Sequence, residues 1–130
     1  MTVERNDPEI DKPFASAGEE IVVLASIPLA DVELPAGSTP VAERELRMRR
    51  VTVEPGGLIA AHPHANRPTV LYVQSGTILE FAADSDVAIE HVAPAIVVPA
   101  TEHWWRNAGD ETVVIIGADL FDPMNDPLQG

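Results

Sequence analysis

The 130-residue chain contains no cysteine, which excludes disulfide scaffolds, thiolate metal sites and thiol nucleophiles together. Any bound metal must therefore be held by nitrogen and oxygen donors. Basic residues are scarce as well: eight Lys and Arg stand against twenty-one Asp and Glu, a net charge of −13. Such a charge repels phosphate backbones and anionic lipid surfaces, so neither nucleic acid nor membrane is the expected partner. No apolar run approaches the ~20 residues of a membrane span, and the opening residues MTVERNDPEIDKP lack the apolar stretch of a secretory signal. The expectation is a cytoplasmic protein whose partner is a small molecule.

Helical signals are also missing, since no stretch combines a capping residue with apolar positions three and four apart over about ten residues. What the chain has instead is short, β-branched apolar segments: IVVL at 21–24, LRMRRVTV at 46–53, TVLYV at 69–73, AIVV at 95–98 and TVVIIGADL at 112–120. Pro35 to Gly37, Pro55-Gly56-Gly57, Ser75-Gly76, Pro94, Pro99 and Gly109-Asp110 punctuate them with turn chemistry. Many short strands at close spacing predict an all-β sandwich or barrel in one domain. The polar, proline-bearing ends read as an N-terminal arm over 1–20 and a C-terminal tail over 121–130, with the barrel at 21–120. TVLYVQSGTILEF reads as a strand and hairpin whose inward positions are Thr69, Leu71 and Val73.

Four of the eight basic residues, Arg44, Arg47, Arg49 and Arg50, crowd one short stretch. They suit either an anion clamp for a carboxylate or, as the default for surface charge, a solvated strand face that balances Glu43, Glu45 and Glu54.

Of the four histidines, His62 and His64 form a His-x-His pair just after the turn EPGG. Residues two apart on a strand share a face, with α-carbons roughly 6.5 Å apart, close enough for two imidazoles to converge on one ion. The segment GGLIAAHPHANRPTVLYVQSG resembles the first cupin motif, G(X)5HXH(X)3–4E(X)6G, with Gly56, His62, His64 and Gly76 in register. APAIVVPATEHWWRN resembles the second, G(X)5PXG(X)2H(X)3N, through Pro99, His103 and Asn107. The sequence departs from the family at Thr69, which stands where the glutamate ligand belongs, and at Ala93 and Thr101, which replace glycines.

The resemblance implies a cupin double-stranded β-helix, a jelly-roll barrel with one divalent metal ion held by His62, His64 and His103. Iron, manganese, nickel, cobalt, copper and zinc all suit imidazole, so the donor type leaves the metal open. His91 lies outside both motifs and is expected to be an ordinary surface or core residue. An all-histidine site resembles those of cupin dioxygenases, which implies oxidative cleavage of a small organic molecule. The alternatives are a non-catalytic binding or sensor module and a Lewis-acid isomerase, lyase or cyclase. For the last of these, Tyr72, Glu102 or a metal-bound hydroxide would have to replace the missing glutamate as base.

Thr69, Leu71, Trp105, Asn107 and Arg67 are the candidate pocket residues. Trp105 and Asn107 share the face of His103 if that segment is extended, although Asn107 could instead cap the turn NAGDE. Arg67, in the ANRP loop, could reach a substrate anion, although loop arginines are by default exposed. Tyr72 falls on the opposite face and reads as structural. A small barrel leaves strand edges to cover, which favours a homodimer.

Overall fold

The computed structural model describes residues 12, 14–64, 67–99 and 102–124. Residues 1–11 and 125–130 of the expected arms, and Thr101, lie outside them. Eight strands form in order: β1 (Glu45–Val53), β2 (Leu58–His62), β3 (Thr69–Ser75), β4 (Thr77–Ala82), β5 (Ala88–Val92), β6 (Ala95–Val97), β7 (His103–Arg106) and β8 (Val113–Phe121). They pair into two four-stranded antiparallel sheets, ordered β1-β8-β3-β6 and β2-β7-β4-β5. Val53, Val73, Ile78, Val97, Trp105, Val113 and Ile115 are buried in one cluster that fills the space between the sheets.

Two expectations about strands need correcting. Residues 21–24 form no strand, and Ile21, Val22, Val23 and Leu24 are all exposed. Val23 and Leu24 run instead across the outer face of the first sheet, beside Met48, Val70, Tyr72 and Ile116. β-branched composition made this segment look like a strand, but it finds no ladder partner.

The run TVLYVQSGTILEF is likewise no hairpin, because β3 and β4 belong to different sheets. Gly76 makes the crossing at φ +85°, and a Cβ there would stand 2.8 Å from Val113 Cγ2 and 3.0 Å from the Thr112 carbonyl oxygen. Only glycine meets both the left-handed backbone and the close approach without strain. Strand β4 pairs with β5 instead, Thr77 opposite Val92 and Phe81 opposite Ala88.

The arginine-rich strand β1 also departs from the default. Arg47 and Arg49 share the inward face with Val51 and Val53, while Leu46 and Met48 point outward and are 82% and 74% exposed. Asp119 inverts the pattern. It sits opposite Arg47 on β8, is buried, and accepts a two-pronged bond from Arg47, Nε to Oδ1 at 3.0 Å and Nη2 to Oδ2 at 2.7 Å. Arg49 and Arg67 approach the same Oδ2 at 3.6 and 3.4 Å. A buried carboxylate needs such partners, and period-two alternation then fixes which face of β1 goes inward.

Candidate metal centre

His62 ends β2 and pairs directly with His103, the first residue of β7. His64 lies just beyond the strand, after Pro63, which cannot donate to a ladder. The three rings meet between the sheets with centroids 4.6 to 4.9 Å apart. Each is less than a tenth exposed. The Nε2 of His103 lies 2.9 Å from that of His64 and 3.0 Å from that of His62. Among the described residues, these three form a cluster that could hold a metal ion.

Their outer partners fix the tautomers. His62 Nδ1 is 2.7 Å from the Ala60 carbonyl oxygen, which can only accept, so Nδ1 carries the proton. His103 Nδ1 is 2.6 Å from Glu80 Oε2, and this carboxylate is held ionised. His64 Nδ1 lies 3.1 Å from Thr69 Oγ1, whose own hydrogen is donated to the Arg67 carbonyl oxygen at 2.8 Å, so the hydroxyl accepts from the imidazole.

All three Nε2 atoms are left with lone pairs aimed at one another. The Trp105 indole N–H, 3.2 Å from His103 Nε2, donates toward the same lone pair. Converging lone pairs repel unless a cation sits among them. Three nitrogens about 2.1 Å from one ion stand about 3.0 Å apart on the face of an octahedron and about 3.4 Å apart at tetrahedral angles. The 2.9 and 3.0 Å separations of His103 Nε2 from the other two Nε2 atoms are short enough for shared ligation of one ion.

A proton is a poor substitute for that cation. Burial, followed by the charges of His103, Arg67 and His62, lowers the pKa of His64 from 6.5 to about 3. His62 is lowered too, chiefly by burial, with His103, Arg67 and Arg49 adding to it. Unfolded histidine takes up a proton near 6.5, whereas folded His64 does so near 3, so below pH 6.5 the unfolded chain binds more protons. Glu80 acts in the same direction: burial raises its pKa, but bonds to His103 and His91 outweigh that and leave it lowered. The metal-free protein should therefore keep its full stability above pH ~6.5 and lose it progressively toward pH 3. Thermal melts across this range should show a falling midpoint, and a flat profile would contradict the assignment.

The remaining candidates divide. His62, His64, Arg67, Thr69, Leu71 and Trp105 line one cavity of about 50 Å³, together with Arg49, Val51, Ile59 and Ile115. Val51 and Ile59 also line the groove between β1 and β2, where the two sheets part. Arg67 is buried, contrary to the default for a loop arginine, because Asp119 draws it inward.

Asn107 is not part of that lining. Its Nδ2 donates to the Val53 and Glu111 carbonyl oxygens, at 3.0 and 2.7 Å, and its Oδ1 accepts from the Gly109 N–H at 3.1 Å. It ties down the turn that follows β7, the alternative that the sequence left open. Tyr72 lies on the outer sheet face, and Glu102 is exposed.

The sequence reading missed Glu80. Its Oε1 bonds His91 Nε2 at 2.8 Å while Oε2 holds His103, so the two histidines share one carboxylate. Glu80 shares its face of β4 with the buried Ile78, and that alternation was the available signal. Outer partners of this kind orient the ligand ring and raise its basicity. Replacing Glu80 by glutamine should weaken metal binding about 10- to 100-fold, measured by competition with a chelator, and an unchanged affinity would deny Glu80 this role.

Two packed antiparallel sheets with three histidines turned into the space between them define an all-β protein with a candidate trihistidine metal centre. Residues 49–118, just over half of the chain, match the cupin domain family, and the chain belongs to that family. No curated protein matches. Among solved structures, a Cupin 2 conserved barrel domain protein from Salinispora arenicola superposes with a TM-score of 0.52 at 15% identity, over 81% of this chain and 92% of that one. A predicted oxalate decarboxylase from Thermotoga maritima gives 0.51 at 16% identity, over 59% and 68%. KdgF from a Halomonas species gives 0.50 at 16%, over 66% and 76%. At these identities the likeness is one of fold.

Proposed function

We propose that this cupin is a metal-dependent enzyme acting on a small organic molecule, with dioxygenase-type oxidative cleavage as its chemistry. One observation carries the reading. Among the described residues, the cavity beside the three Nε2 atoms is lined by imidazole, guanidinium, hydroxyl, indole and aliphatic groups, with no carboxylate, phenol or amine. The carboxylates closest to that lining are engaged behind it: Glu80 is bonded to the His103 and His91 rings, and Asp119 to Arg47. Isomerisation or cyclisation through an enolate needs a base that touches substrate, and neither Tyr72 nor Glu102 lines this cavity, which would leave only a metal-bound hydroxide for that role. Reaction of a held substrate with dioxygen needs no protein base.

When bound, a redox-active ion such as iron would supply the electrons and the open positions for that reaction. The chain's own residues hold and screen. His62, His64 and His103 would be the ligands, kept in register by Ala60, Thr69 and Glu80. Leu71, Val51, Ile59 and Ile115 exclude water, and Trp105 closes one wall while presenting its N–H. Thr69 has taken over the position of the family's glutamate, and it serves His64 as an acceptor.

The rival reading, a binding or sensor module, shares the same site without turnover. Oxygen consumption by the iron(II)-loaded protein, measured against diketones, thiols, phenols and short carboxylates, separates the two. Uptake that matches substrate loss and vanishes in His103→Ala supports the enzyme. Binding without oxygen uptake across the panel would leave the sensor. We further propose a homodimer, supported by the exposed apolar side chains Leu46, Met48, Val23 and Leu24 on or beside the outer face of the first sheet. A sedimentation mass of one chain would overturn it.

A further inference from the structure

We propose that residues 19–24 form a β-ladder with the free edge of β1 in a second copy of this chain, each copy lending its segment to the other. The inference rests on the homodimer reading above and deepens it to a strand register. It begins from a mismatch. The segment EEIVVL, Glu19 to Leu24, has β-branched strand composition at its centre, yet in its own chain it joins no sheet and all six residues are exposed. Ile27 and Leu29 lie in a cleft with Leu46 and Leu120, whereas Val23 and Leu24 lie in one with Tyr72 and Ile96. The segment therefore crosses the strands of its own first sheet instead of running along one.

Strand β1 has the complementary deficit. It is nine residues long and, among the described residues, ladders on one side only, with β8. A long free edge beside the exposed Leu46 and Met48 invites an added strand. The other three free edges suit an acidic segment poorly: β6 has three residues, and neither β2 nor β5 carries a lysine or arginine.

Charge and side-chain pattern then select the direction and register. Antiparallel pairing with Glu20 opposite Arg50 sets Val22 opposite Met48 and Leu24 opposite Leu46 on the outer face. One ion pair and two apolar pairs result, the cross-strand contacts that stabilise a sheet. Arg50 is exposed and, among the described residues, has no partner in its own chain. On the opposite face Ile21 and Val23 meet the aliphatic stems of Arg49 and Arg47. Parallel pairing with the same Glu20–Arg50 contact would set Val22 against Thr52 and Leu24 against Glu54, losing both apolar pairs. Pairing β1 with β1 of the second copy is worse, because a two-fold axis at any residue from 47 to 50 sets arginine opposite arginine. With the arm exchanged, the two-fold axis makes the favourable ladder twice.

The lack of cysteine makes cross-linking unambiguous. Val22→Cys and Met48→Cys chains, mixed and oxidised, should form a covalent heterodimer, since directly opposed strand residues hold their Cβ atoms about 4.5 to 5.5 Å apart, near the span of a disulfide. Val22→Cys mixed with Thr52→Cys, four residues out of register, should not. Glu20→Arg should weaken dimerisation about tenfold in sedimentation equilibrium, because like charges then face each other at two places. Adding Arg50→Glu should restore it. Both residues are exposed, so neither change threatens the fold.

A single-chain mass at every concentration would overturn this proposal together with the homodimer. A dimer whose Val22→Cys and Met48→Cys chains do not link, and which ignores the charge reversal, would overturn the exchange alone and leave the homodimer standing. A chain carrying both cysteines should link as a dimer, and closure of the disulfide within one chain would also overturn the exchange.

Discussion

Replacing His103 by alanine should empty the metal site, lowering affinity by more than about a hundredfold, since losing even an outer partner costs about 10- to 100-fold. His103 carries the largest effect because its Nε2 stands between the other two, 2.9 Å from that of His64 and 3.0 Å from that of His62. It is also the ring that Glu80 and Trp105 both hold. Elemental analysis after dialysis against a mild chelator reads the outcome directly. His103→Gln, closer in volume, guards against simple loss of fold, and circular dichroism checks both variants. His91→Ala is the matched control, because His91 touches Glu80 rather than the cluster and its loss should shift metal affinity only a few-fold. Full metal retention in folded His103→Ala would refute the ligand set.

Asp119→Ala is expected to be the most damaging change to stability, at about 3 kcal/mol, the lower end of the range for breaking a buried ion pair. The lower end applies because Arg47 and Arg49 keep side-chain exposures of 19% and 28%, so water compensates part of the loss. Arg67, at 7%, has no such relief. For a domain of this size, melting should fall by roughly 10 °C. The comparison belongs on metal-free protein, where ligand binding adds nothing to the midpoint. A melting temperature within a degree or two of the parent would mean that the three arginines do not depend on Asp119.

Local patterns in the sequence placed β1, β3, β6 and β8, because each is a β-branched run bounded by turn residues. The His-x-His spacing, together with the resemblance to the two cupin motifs, singled out His62, His64 and His103, and these are the three rings that meet between the sheets as a group able to hold a metal ion. What escaped the reading is set by contacts between remote segments. Arg47 and Arg49 look like surface charge until β8 brings Asp119 alongside them, 72 residues from Arg47. Glu80 is one of many glutamates until β4 lies against β7 and reaches His103. Residues 21–24 show the converse case, a strand composition without a neighbouring edge to pair with. Thr69 is the most instructive position. Compared with the cupin motif it looks like a lost ligand, whereas here its hydroxyl accepts from His64 Nδ1 and helps aim Nε2 inward.

Anomalous diffraction from crystals grown with a divalent transition metal tests the central claim most directly. The account predicts one strong peak equidistant, at about 2.1 Å, from the Nε2 atoms of His62, His64 and His103. Peaks only at surface carboxylates, or imidazoles bound through Nδ1, would contradict it.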